Sequence, residues 1–178
     1  MKRSVIISLL LFVFCSTAFT PGYNASNPDT NAKIKAVFIY NFTKYIEWPE
    51  NYKTGEFTIG ILGENQSLYN ELNKMSKVKK VANQTFSIRN YSDIGDVSNP
   101  HILYIPADST EALSKAVNKL KGKSTLIVTE KPGMAEKGSA INFVIVGNRQ
   151  KFELNKNTAE KHNLKVASTL EKLAVLVE

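Results

Sequence analysis

The chain has 178 residues, 43% of them hydrophobic, with 23 Lys and Arg against 16 Asp and Glu, a formal charge of +7. That length suits one domain large enough to bury a core without covalent or metal staples. The only cysteine, Cys15, lies in the first residues and leaves the rest of the chain without a disulfide or a thiolate nucleophile.

The basic excess sits in two lysine groups, Lys74, Lys77, Lys79 and Lys80, then Lys115, Lys119, Lys121 and Lys123. Neither is interleaved with the aromatics and arginines that read bases, so they read as solvated faces and nucleic acid is not an expected partner. A weak, salt-sensitive attraction to acidic protein or lipid surfaces remains open.

Residues 1–18 have the form of an export signal: Lys2 and Arg3, an apolar run from Val5 to Phe14, and the small residues Ser16, Thr17 and Ala18. Cleavage is expected after Ala18, which lowers the formal charge from +7 to +5 by removing Lys2 and Arg3. The run is shorter than the roughly 18 apolar residues of a membrane span, and no later segment approaches that length. The expected product is therefore periplasmic, with no transmembrane helix. An uncleaved anchor is the alternative. Phe14 stands where a lipoprotein signal needs a small residue, which argues against lipidation at Cys15.

Residues 19–31, with Pro21, Gly22, Pro28 and several asparagines, read as a flexible lead, and 32–178 as the folded domain. Its organising stretch is Ala36 to Pro49. Ile34, Val37, Phe38, Asn41, Phe42, Tyr45 and Ile46 recur at helical spacing, predicting a core helix that Trp48 and Pro49 bring to an end. A strand over Phe57–Gly63 and a helix through Leu68, Leu72 and Met75 follow. Strands over Thr85–Asn90, His101–Ile105 and Ser124–Thr129 enclose a helix through Leu113–Leu120.

This alternation argues for right-handed crossovers and a largely parallel sheet. The pattern then changes. Ile141–Val146, a Gly147-Asn148 turn and Gln150–Leu154 predict an antiparallel hairpin. Asn155–Asn163 and Ala167–Val177 are expected to be closing helices, the second with Leu170, Leu173, Ala174 and Val177 on one face. The expected fold is thus a single three-layer α/β domain, its mostly parallel sheet carrying a C-terminal antiparallel hairpin and flanked by helices.

In such sheets ligands bind at the carboxyl ends of the strands. Those ends carry Glu64 and Asn65, Asp108 and Ser109, and Glu130, which are the candidates for a ligand rim. Helix capping is the competing use of the same residues. His101 and His162 sit in no metal-ligand spacing, there is no nucleophile elbow, and the loop from Gly133 to Gly138 lacks a phosphate-binding ending. These residues define no catalytic centre, no metal site and no cofactor.

The order of several segments is more specific than any single site. Y-N-F-x-x-Y-I-E-W-P (Tyr40–Pro49), T-I-G-I-L-G (Thr58–Gly63), I-N-F-V (Ile141–Val144), K-F-E-L-N (Lys151–Asn155) and H-N-L-K-V-A-S-T-L-E-K-L-A (His162–Ala174) resemble, in that order, the YfiR family of periplasmic proteins. The resemblance runs from about Lys33 to Val177. It implies a small exported α/β protein, often a homodimer, without catalytic activity.

The family's founding member binds the periplasmic domain of an inner-membrane diguanylate cyclase and holds it inactive, which controls cyclic-di-GMP and biofilm formation. Relatives also occur beside histidine kinases. The resemblance does not extend to that member's disulfide-forming cysteines. No family motif places partner-binding residues here, so the candidate surface rests on amphipathicity alone: Glu47, Trp48 and Pro49, with Trp48 an anchor where its ring is exposed, and burial in the core the commoner use of such a ring. The competing function is a small-molecule (solute) binding protein that uses the strand-end rim.

Overall fold

The computed structural model describes residues 28–177; the expected signal peptide and most of the lead lie outside them. Helix α1 (Pro28–Tyr45) opens the domain. Pro28 occupies its first turn, where a missing N–H breaks no hydrogen bond, so the helix starts inside the expected lead. Its most buried residues are Ala32, Ala36, Ile39 and Phe42, whereas Ile34 and Val37 remain exposed. The expected stripe is therefore rotated: two alanines bring the helix backbone close to the sheet, and the larger Ile34 and Val37 face away. Among the described residues no helix is long and apolar enough to cross a membrane.

Among the described residues there are nine strands: β1 (Ile46–Glu47), β2 (Phe57–Leu62), β3 (Phe86–Tyr91), β4 (Ile102–Ile105), β5 (Leu126–Thr129), β6 (Ile141–Val146), β7 (Arg149–Asn155), β8 (Lys165–Val166) and β9 (Val175–Val177). Between them lie α2 (Gln66–Ser76), α3 (Leu113–Lys119), α4 (Lys156–Lys161) and α5 (Ser168–Leu173). Seven strands form one sheet in the order β3-β2-β4-β5-β6-β7-β9. The first five are mutually parallel, β7 runs antiparallel to β6, and β9 runs parallel to β7. The central strands β4 and β5 are buried throughout, as continuous apolar runs in a covered parallel sheet must be.

Side chains alternate between two cores. Ile59, Ile61, Ile102, Tyr104, Leu126 and Val128 pack beneath α1 and α2. Leu103, Ile105 and Ile127 pack with Leu113, Ala116 and Leu120 of α3 on the other face. The protein is thus a three-layer α/β domain with a mostly parallel sheet and an antiparallel hairpin. The hairpin turn has positive φ at both Gly147 (56°) and Asn148 (59°), the primed geometry that follows strand twist.

A buried polar chain marks the place where strand direction reverses. Thr129 Oγ1 donates to Asn142 Oδ1 at 2.8 Å, and Asn142 Nδ2 donates to Glu153 Oε2 at 2.8 Å. These bonds fix the Asn142 amide, which is fully buried and would otherwise cost about 1–3 kcal/mol.

Two expectations need correction. The first helix ends at Tyr45, because Ile46–Glu47 pairs antiparallel with Lys165–Val166 in a separate two-stranded ribbon. The last helix ends at Leu173, and Val175–Val177 becomes an edge strand on β7. Its residues have helical spacing, but the open backbone edge of β7 offers hydrogen bonds that outweigh this local preference.

Candidate functional site

The strand order reverses at β2: the chain passes to β3 on one side and to β4 on the other. A ligand crevice would open between the carboxyl ends of β2 and β4. Ser109 occupies that space. Gly63 at the end of β2 has φ +97°, and a Cβ built there would overlap the Ser109 hydroxyl.

Of the other rim candidates, only Asn65 and Glu130 meet, on either side of the Tyr104 hydroxyl. Asn65 caps α2, accepting from the Leu68 N–H at 3.0 Å. Glu130 accepts from the Ala107 N–H at 3.1 Å and pairs with Lys35 of α1. It lines a cavity of about 560 Å³ on the α1 side, together with Phe143 and Glu153. Asp108 lies beside Lys131 and Met134 in a different depression of about 400 Å³. Ser109 borders a third of about 380 Å³, and Glu64 is exposed.

The separation follows from the turn after β4, which carries Asp108 and Ser109 toward α3 while Glu130 turns toward α1. The fully buried Tyr104 hydroxyl lies between Glu130 and Asn65. Burial, then the Glu130 charge, pushes the Tyr104 pKa up, so the phenol stays neutral. Among the described residues no group of three or more His, Cys, Asp or Glu could hold a metal ion.

The opposite end of the sheet is built differently. A groove of about 460 Å³ runs where α1 meets the β1–β8 ribbon. Its aromatic floor begins with Trp48, which is 5% exposed. The indole meets Phe57 edge to face at 5.0 Å, and its Nε1–H donates to the Ser124 carbonyl at 3.0 Å. Of the two uses open to Trp48, the structure shows the core one and not the exposed anchor: Ser124, at the entry to β5, supplies a buried acceptor, and Phe57 covers the ring. Pro49 is half-buried behind it, and Glu47 is exposed.

His101 stacks on Phe57 at 4.2 Å and meets Tyr52 edge-on at 5.5 Å. Its Nδ1 accepts from the Thr58 N–H at 3.1 Å, so the proton is on Nε2, which donates to the Tyr52 carbonyl at 2.8 Å. Burial lowers the His101 pKa below its ordinary value, consistent with a neutral ring locked in one tautomer.

Charged groups surround this floor. Lys53 bonds Glu50 at 2.6 Å and Glu47 at 3.4 Å, and these partners, the Glu50 bond foremost, raise its pKa. Lys44 and Lys165 also line the groove, as do Val81 and Gln84 from a tight turn. None of these four was legible as a site residue. Lys165 reaches Glu47 only through β1–β8 pairing, and no local pattern in the sequence signals that contact.

The arrangement can bind a chain or a compact solute, but it holds no nucleophile or acid–base pair. Residues 32–175 match the model of the YfiR/HmsC-like family. The chain belongs to that family, a regulatory rather than catalytic one, whose members point to diguanylate cyclase signalling in the periplasm.

No functionally curated protein matches the chain significantly. Among solved structures, it is similar to the ABC domain of a Streptococcus pneumoniae protein in complex with L-Trp. That likeness has a TM-score of 0.56 and 13% identity, covering 83% of this chain and 60% of the other. It shows the shared α/β fold alone.

Proposed function

We propose that this protein is an exported regulator that binds the periplasmic domain of an inner-membrane signalling receptor, a diguanylate cyclase or a histidine kinase, and holds it inactive. The family match over residues 32–175 carries this reading, and the formed groove beside Glu47 supplies a surface for it. Regulation then needs no chemistry. A preference of about 1.4 kcal/mol for the inactive receptor changes the equilibrium tenfold.

Crosslinking in intact envelopes, with the chain tagged at its C-terminus and partners identified by mass spectrometry, tests the proposal. One inner-membrane sensor is expected, and its recovery should fall in Glu47→Lys, which reverses an exposed charge without touching the core. Recovery of no membrane sensor, under conditions that capture a known envelope complex, overturns the proposal. Co-recovery of an untagged copy reads out the homodimer in the same experiment.

Binding of a small solute is the second reading, favoured by the rigid aromatic floor of the 460 Å³ groove. It predicts that a ligand raises the melting temperature by mass action and that Glu47→Lys weakens this shift.

A further inference from the structure

The lysines between α2 and β3 form part of a built surface rather than a loose run. The turn after α2 is closed by Val78 N–H and Lys79 N–H, both donating to the Met75 carbonyl, at 3.1 and 2.9 Å. Val81 and Gln84 then exchange backbone hydrogen bonds at 3.0 and 2.9 Å. Gln84 Nε2 anchors that second turn to the Tyr52 carbonyl at 3.1 Å. Tyr40 of α1 clamps the segment from the side, its hydroxyl donating to the Lys80 carbonyl at 3.0 Å.

The charges converge from two elements. Lys44 of α1 and Lys79 of the turn both lie over the Tyr40 ring, at 4.9 and 5.4 Å from its centroid. Lys77 and Lys80 are exposed beside them. Among the described residues, none of these four lysines forms an ion pair with a carboxylate, as most of the chain's other lysines do not. Between Lys77 and Lys79 stands Val78, 80% exposed and, among the described residues, the most exposed of the large apolar side chains.

We propose that this tip, formed by Lys44, Lys77, Val78, Lys79 and Lys80, docks the protein on an anionic phospholipid surface. The charge complementarity is direct: unpaired ammonium groups face a layer of phosphates, and fixing the turns in advance reduces the entropy lost on contact. Val78 favours lipid over an acidic protein partner, because an isolated valine at the apex of a lysine cluster can enter the acyl boundary while the lysines stay among the headgroups. Docking of this kind would hold the protein at the membrane independently of any receptor.

Co-sedimentation of the exported protein with lipid vesicles tests this without a receptor present. Binding is expected to vesicles that contain phosphatidylglycerol, to be absent with phosphatidylcholine alone, and to weaken as salt rises. Neutralising Lys77, Lys79 and Lys80 to Gln should reduce partitioning on the order of a hundredfold, about fivefold per lysine. Val78→Ser should reduce it several-fold with no change in melting temperature.

Equal binding to both lipids overturns the proposal, as does full retention of binding by the triple variant. Binding to soluble polyglutamate without binding to vesicles would assign the tip to acidic proteins instead. Unchanged binding by Val78→Ser overturns the insertion of the apex. A protein that binds vesicles but recovers no sensor from envelopes would retain the lipid surface and lose the receptor reading.

Discussion

The two ends of the sheet invert what their residues advertise. The carboxyl end carries Glu64, Asn65, Asp108, Ser109 and Glu130, the kinds of residue that bind ligands, yet the structure spends several of them on itself. Asn65 caps α2, Ser109 fills the switch point under Gly63, and Glu130 is held by Lys35 and the Ala107 N–H. The amino end carries aromatics, and there the fold builds a groove lined by Trp48 and Phe57, with His101 stacked on Phe57 outside the lining. Polar residues at strand ends meet helix termini in every α/β fold, so capping claims them first; a groove needs rigid walls, which packed aromatics supply.

The largest expected effect tests the floor. Trp48→Ala removes a buried ring and leaves the Ser124 carbonyl without its donor, so it should destabilise the protein by about 3–5 kcal/mol in urea unfolding. Trp48→Phe keeps most of the ring and loses only the hydrogen bond, for about 1–2 kcal/mol. A cost below about 1 kcal/mol for the alanine variant, the range of an exposed position, would mean that Trp48 faces solvent and that the contrast between the two ends is wrong.

The next effect tests the closed end. Gly63→Ala forces a side chain into positive φ and into the Ser109 hydroxyl, so about 1–3 kcal/mol should be lost. Adding Ser109→Ala should return part of that loss and leave the backbone strain. Such non-additivity, measured by a double-mutant cycle, is the signature of direct contact. Additive effects would mean that Ser109 does not fill the crevice and would reopen the rim as a ligand site.

The same contrast explains what could be read in advance. Most of the parallel strands were legible as short apolar runs between turn signals and β3 by its alternation, and Gly147-Asn148 specified the hairpin through the positive φ it permits. The Glu-Trp-Pro ending of the first helical segment and the tail motif carried the family. Two features depended on partners distant in the chain. Val175–Val177 has helical spacing, and only the open edge of β7 makes it a strand. Trp48 could be read as core or as an exposed anchor, because its acceptor, Ser124, is 76 residues away. The rim residues were correctly located at strand ends, but whether neighbouring loops turn toward α1 or α3 is decided by packing, which leaves no periodic trace.

A smaller effect, dependent on pH, separates the two ends once more. His101 contacts Trp48, Tyr52 and Phe57 and is held neutral by the Thr58 N–H, with burial lowering its pKa below the ordinary value. The unfolded chain, with a pKa of about 6.5 at this residue, therefore binds more protons than the folded one in the window just below that value. Stability is present in full above about pH 6.5 and falls as the pH drops from there through the folded pKa, with a slope of at most about 1.4 kcal/mol per pH unit from this group. Urea unfolding across that window should show the decline, and His101→Gln, which can still accept from Thr58 and donate to the Tyr52 carbonyl, should flatten it. Protonation adds a proton to Nδ1 and breaks the Thr58 bond, so it acts first on the aromatics His101 touches, two of which line the groove; chemical shifts of Trp48 and Phe57 should move with the titration before those of Tyr104. Simultaneous movement at both ends would show that the domain unfolds as one unit on protonation and that the floor has no separate acid response.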